Sequence, residues 1–344
     1  MSKEAVTAAW GWYSGSLEEP ASLPAGVVQQ YRDHGHVLLR GFFNPREMLE
    51  LAPLLRETTE DHRLEYPRWA AKLIGKEDVE PDGAKQFVRV YGLLDKEPGL
   101  AALMHSPRLA KAAMDLEGMA DGVRYYQGQA FFKEPGDHGS TFHADNYACP
   151  LDTSNQLTTA WLPFVGSTQP ILSQLDFRSS RDISHRELVI TETDRDMGVL
   201  AFARGSHLDM NMQFLNNGKA FAGNTLPEEE QLTGEHGVYA PAFVKDRFLV
   251  DLWPKLRPGD VTFHSGWTLH CSFPNTKPHD SGQVREAAAI SYVPESVRTL
   301  PSDKFAAQFA ADDSLNGVRE KIEAAGIEPS SPVPEDILPR MWPR

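Results

Sequence analysis

Apolar positions recur at helical spacing near the start of the chain and at strand spacing through its middle. Val27, Val28 and Tyr31 share one helical face, and Gly35 stands where a C-terminal cap belongs. His36-Val37-Leu38-Leu39-Arg40-Gly41-Phe42-Phe43 then reads as a strand. Asn44, Pro45 and Glu47 give a helix start: a capping side chain, a first-turn proline and an acid at the third position. Met48, Leu51 and Leu55 carry that helix onward, with a kink expected at Pro53. Ser106-Pro107 predicts another helix, with Leu109, Ala113 and Leu116 on one side and Gly118 at its end.

From about Val123 the texture changes. Strand-like runs cover Val123 to Phe132, Leu157 to Phe164, Glu187 to Thr193, Val199 to Ala203, Asp260 to His264 and Ala287 to Val293. Gly, Pro, Asp and Asn separate them, which is the punctuation of an all-β sandwich or barrel. Ser314 can cap a helix ending near Gly326, and the proline-rich tail from Pro329 to Arg344 reads as extended over the surface. A length of 344 residues suggests two domains at roughly 150 residues each. No Gly/Ser-rich linker divides the chain, however. The pattern predicts one domain, 1–344: a mainly helical flank over 1–122, a β core over 123–294, and a helical and extended flank over 295–344.

Composition narrows the function. The net charge is -14, which argues against nucleic acid as a partner, since a phosphate backbone calls for a basic face. With 17 Phe, 9 Tyr and 7 Trp the chain can bury a sizeable core. Two cysteines, Cys149 and Cys271, make neither a disulfide framework nor a Cys-rich zinc site. No apolar run approaches the roughly 18 residues of a membrane span. The opening Met1-Ser2-Lys3-Glu4-Ala5 has no apolar signal core, so a cytoplasmic protein is expected. Oligomeric state is not readable.

Chemistry concentrates in Ser140-Thr141-Phe142-His143-Ala144-Asp145-Asn146. On a strand, residues two apart face the same way, so His143 and Asp145 would converge. An imidazole and a carboxylate are two of the three ligands of the 2-His-1-carboxylate triad of non-haem Fe(II). His207-Leu208-Asp209 has the same spacing, but it follows Gly205-Ser206 and precedes a long irregular stretch. A third ligand should come from a distant strand, where Asp260 to His270 offers both His264 and His270. Fifteen residues later, Arg285 opens another core strand. A buried arginine needs an anionic partner, and a small carboxylate would serve.

The order Phe142-His143-Ala144-Asp145-Asn146, Gly205-Ser206-His207, Arg257-Pro258-Gly259-Asp260, His264 to His270 and Arg285 resembles the phytanoyl-CoA dioxygenase family. Tyr31 to Phe42 is similar to that family's opening helix and strand, so the likeness covers roughly residues 25 to 294. It implies a double-stranded β-helix (a jelly roll, or cupin-like barrel), mainly β with flanking helices. It implies Fe(II), 2-oxoglutarate as cosubstrate, O2, and a small-molecule substrate that is hydroxylated as 2-oxoglutarate becomes succinate and CO2. By the same resemblance His143, Asp145 and His270 would hold iron. Arg285, aided by Ser272, would grip the far carboxylate of 2-oxoglutarate; Trp161 and Gln129 would lie beside it, with Arg89 near a second basic position. Halogenating relatives replace the carboxylate ligand with a small residue, so Asp145 favours hydroxylation, although desaturation, epoxidation or ring formation would use the same ligands. Two departures stand out. Arg204 replaces the usual proline before Gly-Ser-His, and the segments 166–196 and 208–256 are longer than the family's connections, as a specialised pocket or lid would require. A jelly-roll binding protein without catalysis is the alternative from another class. Within these segments Met210, Met212 and Phe214 form a short apolar stripe, and Glu228-Glu229-Glu230 reads as a solvated run.

Overall fold

A computed structural model describes residues 10–11, 15–68, 87–140, 142–147, 149–165, 192–209, 242–301 and 317–343. Helix α1 (Ala25–His34) ends at Gly35, whose φ of 81° needs a residue free of Cβ strain. Its backbone leads straight into strand β1 (His36–Arg40). The apolar run beyond Arg40 is not strand: Gly41 turns the chain and Phe43 only bridges to Gly15. Helix α2 (Pro45–His62) starts under the Asn44 side chain, which accepts from the Arg46 N–H, and runs on through Pro53. Helix α3 (Pro107–Glu117) lies between a Ser106 cap and Gly118. No described helix is long and apolar enough to cross a membrane.

The strands are β2 (Val88–Tyr91), β3 (Val123–Lys133), β4 (Thr158–Val165), β5 (Leu200–Ala203), β6 (Val250–Leu252), β7 (Val261–Ser265), β8 (His270–Ser272), β9 (Arg285–Pro294) and β10 (Arg340–Trp342). An eight-stranded sheet runs from the short strand Trp10–Gly11 through β1, β7, β4, β9 and β3 to β10, with β2 also on β3. Among the described strand pairs of this sheet, the Trp10–Gly11 pairing is parallel and the rest are antiparallel. A smaller antiparallel sheet, β8-β5-β6, faces it. Together they form the mainly-β jelly roll with helical flanks.

Alternation along the large sheet divides two environments. One set of side chains packs against the three helices: Val37 and Leu39 of β1, Phe263 of β7, Leu162 and Phe164 of β4, Ile290 and Tyr292 of β9. The other set faces the small sheet: Leu38, Trp161, Ala287 and Ala289 pack with Phe202 and Trp253. On β9 the switch is immediate. Glu286 points to the helices, where Arg56 of α2 grips it through two hydrogen bonds of 2.8 and 2.9 Å, and Arg285 points inward.

The C-terminal tail departs from the extended surface segment that its prolines predict. Val333, Ile337 and Leu338 are buried with Tyr126, Val293 and helix α4 (Val318–Ala324), and β10 adds to the sheet. The prolines mark turns between apolar anchors. Gly317 occupies the N-terminal cap of α4, and Ser314 lies outside the described residues. So do nearly all of the expected strand Glu187 to Thr193, Met210, Met212, Phe214 and Glu228 to Glu230; of the two long segments only 192–196, 208–209 and 242–256 are described.

Candidate metal and anion site

A cavity of about 240 Å³ lies on the inner face of the large sheet. All eight side chains singled out in the sequence line it: His143, Asp145, His270, Arg285, Gln129, Trp161, Ser272 and Arg89.

The metal end is built from two distant segments. After β3 the chain turns at Gly136 and returns to pair with β8. The His143 N–H donates to the His270 carbonyl (3.0 Å), and the His270 N–H donates back to that of His143 (2.9 Å). This exchange sets the two rings 4.3 Å apart, centroid to centroid. The sequence pattern put His143 and Asp145 on one regular strand. Instead, His143 is a lone bridge residue and Asp145 opens a 3-10 turn, Asp145–Tyr147. Convergence comes from that turn, pinned by the Asn146 N–H on the Gly266 carbonyl (2.9 Å).

The two carboxylate oxygens of Asp145 have separate surroundings. Oδ1 lies 3.6 Å from Nε2 of His270 and 3.9 Å from Nε2 of His143. Oδ2 accepts from the Thr159 hydroxyl (2.7 Å) and lies 3.2 Å from Nε2 of His264. The Thr159 oxygen is in turn 3.0 Å from that of Ser291, whose proton it is left to accept. Burial raises the Asp145 carboxyl, but His270, the hydrogen bond from His264 and the neighbouring His143 outweigh it and hold the group well below the usual range. Burial, then the neighbouring His264, pushes His270 down to about 4, so it is neutral at pH 7. Its Nδ1 is 3.0 Å from the Thr268 carbonyl, which can only accept. The proton therefore sits on Nδ1, and the Nε2 lone pair faces Asp145.

Donor atoms of His143, Asp145 and His270 all lie within 4.8 Å of one another, as a group that can hold a metal ion. A divalent ion about 2.1 Å from each donor spans up to ~4.2 Å between donors, so the 3.6 and 3.9 Å pairs are within one ion's reach. The donor set is the 2-His-1-carboxylate type. His264, the rival to His270 from the sequence, lies beside it with ring centres 4.3 Å apart, and its Nε2 braces Oδ2.

The other end of the cavity is cationic and aromatic. Arg285 is buried, donates to the carbonyls of Gly198 (2.9 Å) and Phe131 (3.4 Å), and has no partner at Nε. Among the described residues no carboxylate pairs with it. Burial lowers it to about 9, with Arg89 adding to the effect and Asp137 opposing it. Its Cζ is 5.7 Å from the Trp161 ring. Arg89 stacks over Phe87 (4.3 Å) and Tyr66 (4.9 Å). The Ser272 hydroxyl accepts from Lys133 (2.8 Å) rather than from Arg285. Lys133 was missed in the sequence, as were the braces Thr159 and Ser291. Lys133 does follow Gln129 and Phe131 at strand spacing, so parity alone places it inward.

His207 lies elsewhere. It donates from Nε2 to the Arg32 carbonyl at the end of α1 (2.9 Å), and Asp209 pairs with Arg247. Arg204, in place of the proline, forks onto Asp251 of β6 with hydrogen bonds of 2.7 and 2.6 Å. The fully buried Asp251 also lies 3.1 Å from Nε2 of His36.

No protein-family model matches the chain, and no curated protein matches it. Solved structures do. The non-heme alpha ketoglutarate dependent carbocyclase SnoK from nogalamycin biosynthesis superposes with a TM-score of 0.58 at 18% identity, over 94% of this chain and 99% of that one. The non-heme alpha ketoglutarate dependent epimerase SnoN from the same biosynthesis gives 0.58 at 19% identity, over 92% and 97%. SnoN in complex with Fe3+, alpha ketoglutarate and nogalamycin RO gives 0.57 at 20%, over 92% and 97%. At such identities the likeness is one of fold.

Proposed function

We propose that the chain is an Fe(II)- and 2-oxoglutarate-dependent dioxygenase that hydroxylates a small organic molecule. One observation carries this reading: two imidazoles and a carboxylate converge in the same cavity as a buried arginine without an acidic partner. His143, Asp145 and His270 would hold the iron. Arg285 would take the far carboxylate of 2-oxoglutarate, with Trp161, Gln129, Ser272 and Arg89 around it. Bound there, iron and cosubstrate supply oxidation by O2 coupled to the conversion of 2-oxoglutarate to succinate and CO2. The chain's own part is preparation. Thr159 and His264 fix the carboxylate, the Thr268 carbonyl fixes the tautomer of His270, and Phe87, Phe131 and Trp161 wall the cosubstrate from water.

A second reading keeps the site and changes the outcome. SnoK and SnoN are named as a carbocyclase and an epimerase, so ring formation, desaturation or epoxidation remains open to the same ligands. Both come from nogalamycin biosynthesis, and we favour a natural-product intermediate as substrate.

Anaerobic titration with Fe(II) and 2-oxoglutarate tests the site. A weak visible charge-transfer band is expected; its absence with iron bound sinks the proposal. Asp145→Ala should lose the band and succinate release while staying folded. A non-catalytic binding protein would bind both and release no succinate under air with any candidate substrate. Product analysis then separates hydroxylation from the other outcomes.

A further inference from the structure

We propose that Lys133 is uncharged in the free protein and takes a proton from solvent when 2-oxoglutarate binds, becoming a further cation of its carboxylate site. This rests on the cosubstrate reading above.

Three basic side chains meet around one ring. Arg89 Cζ lies 4.3 Å, Lys133 Nζ 4.6 Å and Arg285 Cζ 5.9 Å from the Phe87 ring centre. Lys133 and Arg285 are paired across β3 and β9, so their side chains leave the same face side by side. Both are buried, and among the described residues neither has an ion-pair partner. Three positive charges cannot share such a place without an anion. Arg285, even lowered to about 9, keeps its proton near pH 7.5, so the lysine is the member that can give one up. Its contacts suit the amine. A neutral amine has two N–H groups, and Nζ has two acceptors: the Ser272 hydroxyl (2.8 Å) and the Phe273 carbonyl (2.5 Å).

The strongest influences on Lys133 disfavour its charge. Burial, then Arg285 of β9 and Arg89 of β2, lower it well below the ordinary lysine value. Opposing them are Asp137, beyond β3, and Cys271 of β8. Burial pushes the Cys271 thiol up to about 12, so it carries no charge. Asp137 is spent on the Glu134 N–H (2.7 Å). A dicarboxylate held at Arg285 reverses the balance, because a nearby anion favours the ammonium form. Ser272, which accepts from Lys133, itself lines the cavity where that anion would lie.

Calorimetry of 2-oxoglutarate binding to the Mn(II)-loaded full chain, without O2 and in buffers of different ionisation enthalpy, counts protons. About one proton should be taken up per 2-oxoglutarate near pH 7.5, and Kd should rise about tenfold per pH unit above that. Lys133→Met should abolish the uptake. Lys133→Arg, which keeps a permanent charge, should bind without uptake even if the methionine variant fails to fold. Asp137→Asn should leave the uptake in place. Binding without uptake in the wild-type protein overturns the proposal, as does uptake that survives either Lys133 change or vanishes with Asp137→Asn. Absence of binding in every buffer would instead remove the cosubstrate reading itself.

Discussion

Thr159→Val removes one hydroxyl from beneath the Asp145 carboxylate, the proposed metal ligand, and leaves the side chain almost the same shape. The position is 3% exposed, and valine offers no donor in place of the hydroxyl. Two hydrogen bonds go: the 2.7 Å donation to Asp145 Oδ2 and the 3.0 Å contact with Ser291. A hydrogen bond to a charged group contributes about 1.5–3 kcal/mol. Among the described residues His264 then remains as the brace on Oδ2, and the carboxylate gains freedom to turn. Expressed in metal affinity, that energy is roughly 10- to 150-fold, in the range seen when outer partners of a metal ligand are lost. Competition between the protein and a chelating dye for Mn(II), without O2, measures it directly. Thr159→Ser keeps the donor and should bind within a few-fold of wild type. A folded Thr159→Val protein whose affinity is also within twofold would refute the claim that this hydroxyl holds the ligand.

Arg285→Gln should weaken 2-oxoglutarate binding by at least thirtyfold, since losing one partner of a buried charge pair costs about 2–5 kcal/mol, with metal affinity unchanged; equal cosubstrate affinity by calorimetry contradicts it. Gly198→Ala should lower the thermal midpoint, because the position has φ 90° and a Cβ would stand 2.4 Å from the Phe273 carbonyl oxygen and 2.8 Å from Lys133 Cδ. An unchanged midpoint would mean that the turn moves without strain. Glu117, beneath the Tyr31 hydroxyl (2.5 Å), is raised by burial to about 8, whereas an unfolded glutamate titrates near ~4.3. Its neutral form therefore stabilises the fold fully at low pH, and the contribution is lost as pH rises from about 4 to 8. Glu117→Gln should flatten the fall of the thermal midpoint across that window, and parallel curves for the two proteins would count against it.

What the sequence revealed was mostly local. Asn44, Ser106, Gly35 and Gly118 mark helix ends because capping depends on one side chain or one backbone conformation. Strand-like runs set off by Gly, Pro, Asp and Asn located β3, β4, β5, β7 and β9 to within a few residues, because strands buried on both faces read as apolar runs between turns. Asp145 does come close to His143, but a turn rather than the expected strand aims it. The braces Thr159, His264 and Ser291 come from three strands that meet only in the folded sheet, and no short-range spacing joins them. The tail misled because its prolines concealed the apolar anchors Val333, Ile337 and Leu338.

The mutual backbone pairing of His143 and His270 has a consequence for how freely the protein can change. An ion gripped by both side chains would act as a clasp on two points far apart along the chain. Everything between them then becomes a loop closed at its base. The entropy cost of closing a loop rises slowly, by only about 0.6 kcal/mol for each doubling of length. Connections between the strands of the clasped region can therefore lengthen or shorten with little effect on the clasp, so long as the strands that carry Thr159, Trp161 and His264 stay in register.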